Sequence, residues 1–262
     1  MLRSMYSGIS GMRNFQTKLD VIGNNISNVN TFGFKKGRAT FKDMVSQQIA
    51  GATGPQAGAR GGVNARQVGL GSQLASIDTI HTQGSLQNTN RALDLGISGD
   101  GFFQVTDGAI TYFTRAGNFY LDSSGDIVNS DGLRLVGTGN MNIPSSAQSF
   151  SIGADGSINY INEQGVLTPG GTIQLANFAN PEGLTKAGEN LYLQSTNSGV
   201  PGAQTPGNGG TGTLVAGTLE MSNVDLSEEF TEMIVAQRGF QANTRIITTS
   251  DEILQELVNL KR

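Results

Sequence analysis

The sequence predicts an α+β protein whose N- and C-terminal helices pair as an antiparallel coiled coil, with a central β-rich domain of short antiparallel strands between them. Both ends carry apolar residues at seven-residue spacing, which is typical of helices that bury one face against another helix. Between the ends the apolar period changes to two, and Gly-Asp and Asp-Gly pairs recur as in short strands joined by turns. The composition agrees, since 37 of the 262 residues are glycine and only 15% are charged.

The N-terminal helix is predicted over residues 3–28. Three asparagines, Asn24, Asn25 and Asn28, stand at its end, and asparagine tolerates the left-handed conformation that ends helices. We therefore expect them to shape the change from helix to loop. The predicted assembly interface on this helix consists of the larger apolar residues of the seven-residue pattern: Met5, Met12, Phe15, Leu19, Ile22 and Ile26.

The C-terminal helix is predicted to begin after Ser222, Asn223 and Asp225, which are suited to cap a helix N-terminus. Glu228 and Glu229 follow, where a negative charge complements the helix dipole. The apolar pattern has the same spacing as at the N-terminus. The predicted interface residues on this helix are Leu226, Phe230, Met233, Phe240, Ile247 and Leu254.

The charges of the two ends favour their pairing. Residues 1–45 carry seven cationic against two anionic side chains, a net charge of +5. Residues 219–262 carry four against eight, a net charge of −4. Opposite signs on two apolar helices favour contact between them, within one chain or between chains. The alternative is two solvent-exposed helix faces whose charges differ by chance.

Three regions are predicted. Residues 1–49 and 222–262 form a terminal helical assembly region, in which a second short helix is expected over residues 34–48 because apolar residues recur there at helical spacing. Residues 50–74 are rich in glycine, alanine and glutamine and are interpreted as a flexible connector. Residues 75–221 form the β-rich outer domain.

Within the outer domain the sequence predicts short strands separated by turns. Strands are expected at residues 149–160 and 172–178, and the last one at residues 213–221. A long loop is expected over residues 196–212, where glycine and proline are frequent.

No catalytic residue, cofactor or metal ion is predicted. There is no cysteine, and the one histidine, His81, has a strand-like context without an activated-serine motif. Residues 207–212 satisfy G-x-G-x-x-G but lack the strand before and the helix after that a dinucleotide site needs. Residues 122–126 match a calcium loop only in part and are better explained as a hairpin turn.

Nucleic-acid binding and membrane insertion are not predicted. The net charge is −4, and the basic cluster Lys35, Lys36 and Arg38 is interpreted as an exposed turn or a subunit contact. No apolar run reaches the roughly 18 residues needed to span a bilayer. The first residues lack the apolar core of a signal peptide, so export would need another route.

Five blocks of the sequence resemble the bacterial flagellar axial family, the proteins of the rod and the hook. The blocks occur in family order and cover most of the chain. They are LDVIGNNISNVNTFGFKKGRATF (19–41), ISGDGFFQV (97–105), YFTRAGNFYLDSSGDIV (112–128), IQLANFANPEGLTKAGENLYLQSTNSG (173–199) and LEMSNVDLSEEFTEMIVAQRGFQANTRIITTSDEILQELVNL (219–260).

The resemblance implies a structural subunit rather than an enzyme. Its terminal helices would form the inner coiled-coil tube of a helical homopolymer, and its β domain the outer layer. The subunit would leave the cell through the flagellar type III system and assemble in the extracytoplasmic hook–basal body, which transmits motor torque. The implied partners are further copies of the chain, the adjacent rod, hook and junction proteins, the export apparatus, and the hook or rod cap.

Within the family we expect a hook subunit, with a distal rod subunit as the alternative. The two ends look most like the short hook proteins of Bacillus-type Gram-positive bacteria, whereas the length is similar to that of distal rod proteins. Two other classes stay open on the residues alone. One is a secreted trimeric β-rich adhesin or phage-tail component, and the other is a glycan-active enzyme on a β scaffold.

Overall fold

The structure, a computed structural model, describes residues 2–55, 61–139 and 141–260. Two long helices, α1 (Leu2–Ser27) and α2 (Leu226–Asn259), flank a series of short strands, and a 3₁₀ turn lies at Pro181–Gly183. The prediction of an α+β chain with a helix near each end is confirmed. The first strands are β1 (Gly37–Asp43), β2 (Ser46–Ala50), β3 (Arg66–Gly69) and β4 (Ser72–Thr79).

The remaining strands are short. They are β5 (Leu86–Asn88), β6 (Leu95–Ser98), β7 (Phe102–Thr106), β8 (Thr111–Thr114), β9 (Tyr120–Leu121), β10 (Ile127–Val128), β11 (Arg134–Leu135), β12 (Gly137–Thr138), β13 (Ser149–Ile152), β14 (Ser157–Ile161), β15 (Leu167–Ile173), β16 (Leu175–Asn177), β17 (Thr185–Gly188), β18 (Leu191–Leu193), β19 (Gly202–Gln204), β20 (Thr213–Ala216) and β21 (Thr218–Glu220).

The chain divides into two compact units. The first, here called the helical unit, contains the chain up to Ile26, Gly37–Asp78 and the chain from Asp225 onward. The second, here called the β unit, contains Ser27–Lys36 and Thr79–Val224. The three regions predicted from the sequence (1–49 with 222–262, 50–74 and 75–221) describe how the chain would be arranged in an assembly. They stay a prediction.

The second helix expected over residues 34–48 is wrong, because β1 and β2 occupy this stretch. β1 pairs with β4, and β2 pairs antiparallel with β3, with Gln47 opposite Val68. The apolar residues at helical spacing, such as Met44 and Val45, are exposed rather than aligned on a buried face. Pairing with distant strands therefore overrides the local pattern. Part of the predicted connector is strand as well, and its residues 56–60 lie outside the described residues.

The β unit is a set of antiparallel sheets. Its largest sheet has the strand order β17-β18-β8-β7-β11-β10-β9, and β16 pairs with both β7 and β19. A second sheet has the order β12-β15-β14-β13. The predicted last strand is divided at Gly217, whose φ of +73° favours glycine. As a result β20 pairs with β6, and β21 pairs with β5.

Two clusters of buried apolar side chains form the core of the β unit. In the larger one, the rings of Phe103 and Phe119 meet edge to face with centroids 5.2 Å apart, among buried residues that include Ile158 and Ile173. The smaller cluster contains Phe113 and is centred on aromatic rings. Successive residues of β7 contribute to the two clusters, since Phe103 belongs to the larger one and Phe102 to the smaller one.

A buried charge cluster also lies in the β unit. The Glu220 carboxylate accepts hydrogen bonds from Lys35 Nζ and Arg115 Nε, each at 2.6 Å, and from the backbone N–H of Gly84 at 2.9 Å. Lys35 is 1% exposed, so its interpretation as part of an exposed turn is wrong. Its second acceptor is the carbonyl of Thr82 at 2.7 Å. Removal of the Glu220 carboxylate would leave two buried cations without their counter-charge, which is strongly destabilising.

His81 is a second buried titratable group of this unit. Its ring lies edge to face against Phe102 and Tyr192, at centroid distances of 5.4 and 5.5 Å. Burial, followed by the nearby charges of Lys35, Lys186 and Arg115, lowers its pKa to about 4. The imidazole is therefore neutral at neutral pH. It follows the end of β4 rather than lying within a strand as expected.

The lowered pKa of His81 predicts that the folded protein loses stability in acid. Between its ordinary pKa of 6.5 and the folded value of about 4, the unfolded chain binds a proton that the folded chain does not. The stability of the β unit should therefore fall by about 3 kcal/mol from pH 7 to pH 4 through this residue. Urea unfolding of wild type and His81→Phe at both pH values would measure it. Equal losses in the two proteins would contradict the assignment.

Candidate assembly interface

The two long helices of the helical unit pair antiparallel, as predicted. Residues later in α1 contact residues earlier in α2. The contacts run from Gly8 with Ile247, Met12 with Thr244, Phe15 with Gly239 and Lys18 with Glu232 to Asn25 with Glu229. The Lys18–Glu232 ion pair measures 2.9 Å and is partly exposed. α2 begins with the predicted cap, because Asp225 Oδ1 accepts the N–H of Ser227 at 2.8 Å.

The seam of α2 contains a line of positions outside the predicted interface set, whose polar members sequence reasoning missed. This line repeats every seven residues and is small or polar: Glu229, Ala236, Asn243 and Ser250. Three of the four are buried, and Asn243 is half-buried. The predicted apolar positions lie beside it. The seven-residue spacing of this line could have been recognised in the sequence. It was overlooked because polar side chains are not expected in the seam between two helices.

Glycines let the helices approach closely. A Cβ placed on Gly239 would lie 2.5 Å from Cζ of Phe15, and one on Gly11 would lie 2.8 Å from Oδ1 of Asn243. A Cβ on Gly23, in contrast, meets no atom within 4 Å. Gly11 and Gly239 therefore serve the packing of the pair, although glycine weakens an isolated helix.

Asn25 joins three elements of the helical unit. It is 2% exposed, and its Nδ2 donates to the Gly37 carbonyl at 2.9 Å and to Glu229 Oε2 at 3.1 Å. Its Oδ1 accepts the N–H of Gly37 at 2.9 Å. One amide thereby links α1, α2 and the first residue of β1. Of the other two asparagines in the predicted helix-end group, Asn24 is exposed, and Asn28 accepts a hydrogen bond from the Thr31 hydroxyl at 3.1 Å.

Of the predicted interface residues, Met12, Phe15 and Ile247 contact the opposite helix, and the set as a whole is incompletely covered. On α1, Ile22 is buried, and the others are half-buried: Met5, Met12, Phe15, Leu19 and Ile26. On α2, the half-buried ones are Met233, Ile247 and Leu254. The exposed ones are Leu226, Phe230 and Phe240, and Phe230 is 49% exposed.

Other apolar residues of α2 and its C-cap are exposed as well. Ile234 and Val235 lie well away from the seam line, and towards the end of the helix the exposed ones are Ile246, Ile253, Leu257, Val258 and Leu260. Among the described residues of the helical unit, the fully buried apolar side chains are those of Ile22 and Ala236. A helix that is apolar on several faces is typical of one with more than one helix partner.

The segment from β1 to β4 packs on α1. The rings of Phe15 and Phe41 are 6.5 Å apart, and Asn14 Nδ2 donates to Ser72 Oγ at 2.8 Å. Gly71 has a φ of +128°, and a Cβ there would lie 2.3 Å from Ser10 Oγ. The turn between β3 and β4 therefore requires glycine at the point where it meets the helix.

The described residues do not hold a metal-binding group of three or more His, Cys, Asp or Glu side chains. In the part of the chain described, no helix is long and apolar enough to cross a membrane. The β unit has a cavity of about 400 Å³ whose lining includes Asp100 and Glu182. A cleft whose lining contains two carboxylates, one of the features that the glycan-active alternative requires, thus lies in the β unit.

Comparison with known proteins matches three family profiles to separate parts of this chain. They are the flagella basal body rod protein at residues 5–35, the flagellar hook protein FlgE/F/G D1 domain at residues 96–160, and the flagellar basal body rod FlgEFG protein C-terminal region at residues 215–260.

Full-length relatives agree with these profiles. The flagellar basal-body rod protein FlgG of Bacillus subtilis is 62% identical over 266 residues, which cover all of both chains. The chain belongs to the FlgE/F/G family of flagellar rod and hook proteins. The FlgG of Buchnera aphidicola from Acyrthosiphon pisum is 40% identical, covering 99% of this chain and all of that one. The flagellar hook protein FlgE of Borreliella burgdorferi is 32% identical over 442 residues, covering both chains.

Family membership confirms the predicted kind of protein. The chain is a structural rod or hook subunit of the flagellar hook–basal body. The secreted adhesin and the phage-tail component are set aside, because full-length identity of 62% joins this chain to a flagellar protein.

The hydrogen bonds of Asn25 predict that replacing its side chain strongly destabilises the helical unit. Asn25→Ala should lower the stability of the helical unit by about 2–4 kcal/mol, because buried groups of Glu229 and Gly37 lose their hydrogen bonds. The amide of Gly37 should also lose protection from hydrogen exchange. Unfolding by circular dichroism and exchange of this amide would measure both effects.

Gln16→Ala is the matched control, since Gln16 is an exposed polar residue on the same helix. The stability of this variant should change by less than about 1 kcal/mol, and Gly37 should keep its protection. Similar losses in the two variants would mean that the effect comes from any polar substitution in α1 and not from the hydrogen bonds of Asn25.

Proposed function

We propose that this chain is a subunit of the basal-body rod, in its distal part, and that it works without catalysis by polymerising helically. The observation that carries this is the full-length 62% identity to the Bacillus subtilis rod protein. The Borreliella hook protein needs an alignment of 442 positions for a chain of 262, so it contains long insertions that this chain lacks. The rod is therefore favoured over the hook, which was the first expectation from the sequence.

The proposed polymer contacts are made by α1 and α2. The helical unit would line the inner tube, and residues 75–221 would form the outer layer, as the family resemblance implies. The predicted interface residues of both helices would pack against helices of neighbouring copies. Support comes from the exposed apolar faces of α2, which one copy of α1 leaves bare, and from the opposite net charges of the two ends.

We also propose that the subunit is exported as an unfolded chain through the flagellar type III system. The absence of cysteine fits a protein that folds outside the cytoplasm without forming disulfides. The small apolar core of the helical unit fits helices that gain much of their burial only in the assembly. The proposed partners are further copies, the adjacent rod, hook and junction proteins, the export apparatus and the cap.

Substitutions in the helix seam test the polymerisation. Leu19→Asp or Ile247→Asp should reduce the polymerised fraction by roughly tenfold or more, since a charge in an apolar contact costs more than about 1.4 kcal/mol. Sedimentation and electron microscopy would measure the polymer. Near-ultraviolet circular dichroism should show that the β unit is still folded.

Val200→Asp introduces the same charge at an apolar residue that is already 84% exposed, in the β unit. This control should polymerise as wild type does. Normal polymerisation of both seam variants would contradict the proposed role of the helices.

Antibody labelling of purified hook–basal bodies tests the location. Gold particles confined to the straight shaft below the hook would support a rod subunit. Labelling along the curved hook would overturn the rod proposal in favour of the hook. A strain that lacks the gene provides the control for antibody specificity.

A further inference from the structure

A groove in the helical unit lies outside the seam between α1 and α2. It has a volume of about 500 Å³, and it is open at the surface, where Tyr6 is 70% exposed. Its lining combines apolar side chains with two arginines: Arg3, Tyr6, Ile9 and Arg13 from α1, with Met44 and Leu74 from the neighbouring strand segment. Among the described residues, neither arginine has a carboxylate partner. The groove therefore offers an apolar floor with uncompensated positive charge.

The end of α2 carries the complementary features. Ile253, Leu257 and Leu260 are exposed, and their spacing of four and three residues places them along one face of the helix. Glu256 is exposed and lies about 40–60° round the helix from Ile253 and Leu260, and Glu252 precedes it by one turn. Over residues 252–260 this surface is acidic with an apolar stripe, and the cationic residues Lys261 and Arg262 follow it in the sequence.

The α2 of the same chain is paired on the other side of α1. Ile247 contacts α1 at Gly8, which lies about 160° round the helix from Tyr6. A rigid helix held at Gly8 cannot also place its end in a groove on the opposite side. An occupant of this chemistry must therefore come from another molecule.

We propose that the groove binds the acidic, apolar end of α2 from a second copy of this chain. Arg3 and Arg13 would meet Glu252 and Glu256, while Leu257 and its apolar neighbours would cover Tyr6 and the groove floor. Each copy has one groove and one such helix end, so the contact is head-to-tail and continues from subunit to subunit. The proposal rests on the proposed polymerisation and specifies one of its contacts.

Cross-linking provides the first test, because the chain has no cysteine of its own. A chain with Tyr6→Cys is mixed with a chain carrying Leu257→Cys, allowed to polymerise and oxidised. A disulfide between positions 6 and 257 can then form only between two molecules, and it should be a main product on a non-reducing gel. Glu228→Cys, at the other end of α2, replaces Leu257→Cys in the control mixture and should give about tenfold less product.

Charge reversal provides the second test and needs no cysteine. Arg13→Glu alone and Glu256→Lys alone should each reduce the polymer yield by about tenfold, and the two changes in one chain should restore most of it, because the ion pair is rebuilt with reversed signs. Asp251→Lys is the matched control. It lies about 160° round α2 from Ile253, so it should not restore the yield of Arg13→Glu.

The outcomes separate the two proposals. Polymers without the 6–257 disulfide, or with a yield that neither charge reversal changes, would overturn the groove contact and leave the polymerisation standing. Failure of the wild-type chain to polymerise would overturn the proposed function and the groove contact together. Restoration by Asp251→Lys as well would show that net charge, not this contact, governs the yield, and would also overturn the proposal.

Discussion

The main constraint on this protein is that its helix pair has little apolar core of its own. Among the described residues of the helical unit, only Ile22 and Ala236 are fully buried apolar side chains, whereas the β unit has two buried clusters. Burial of apolar surface is the dominant favourable term in folding. The β unit can therefore draw its stability from within one chain, while in the proposed polymer α1 and α2 would gain further buried surface from other copies. This division fits the proposed sequence of events, in which the subunit is exported unfolded and then polymerises.

Although the helix pair buries little apolar surface, close contacts and polar groups fix the position of one helix along the other. Gly11 and Gly239 require close approach at fixed points, and Asn25 has one set of partners that satisfies its amide. Polar residues in a helix seam lower stability but fix register, because any shift leaves a buried polar group without its partner. In a helical polymer an error in register would be repeated by every subunit. A seam with polar residues is consistent with that demand.

Local pattern predicted the terminal helices, their antiparallel pairing and the cap at Asp225. It failed where the deciding partner is far away in the sequence. Residues 34–48 have helical spacing, but pairing with residues 66–79 makes them strands. Lys35 has the surroundings of an exposed turn, but its partner Glu220 is 185 residues away. The line through Glu229 and Asn243 was missed because these two side chains meet Asn25 and Gly11 of the other helix.

The two units also use charge differently. In the β unit, Glu220, Lys35 and Arg115 satisfy one another inside the fold, so they contribute nothing to the surface. In the helical unit, Lys18 and Glu232 form an ion pair across the seam, while Arg3 and Arg13 on α1 and Glu252 and Glu256 on α2 remain at the surface. Charges screened over about 10 Å act only between surfaces already near contact. In the proposed polymer, apolar faces would therefore supply the strength of subunit packing, and these charges would select which faces meet.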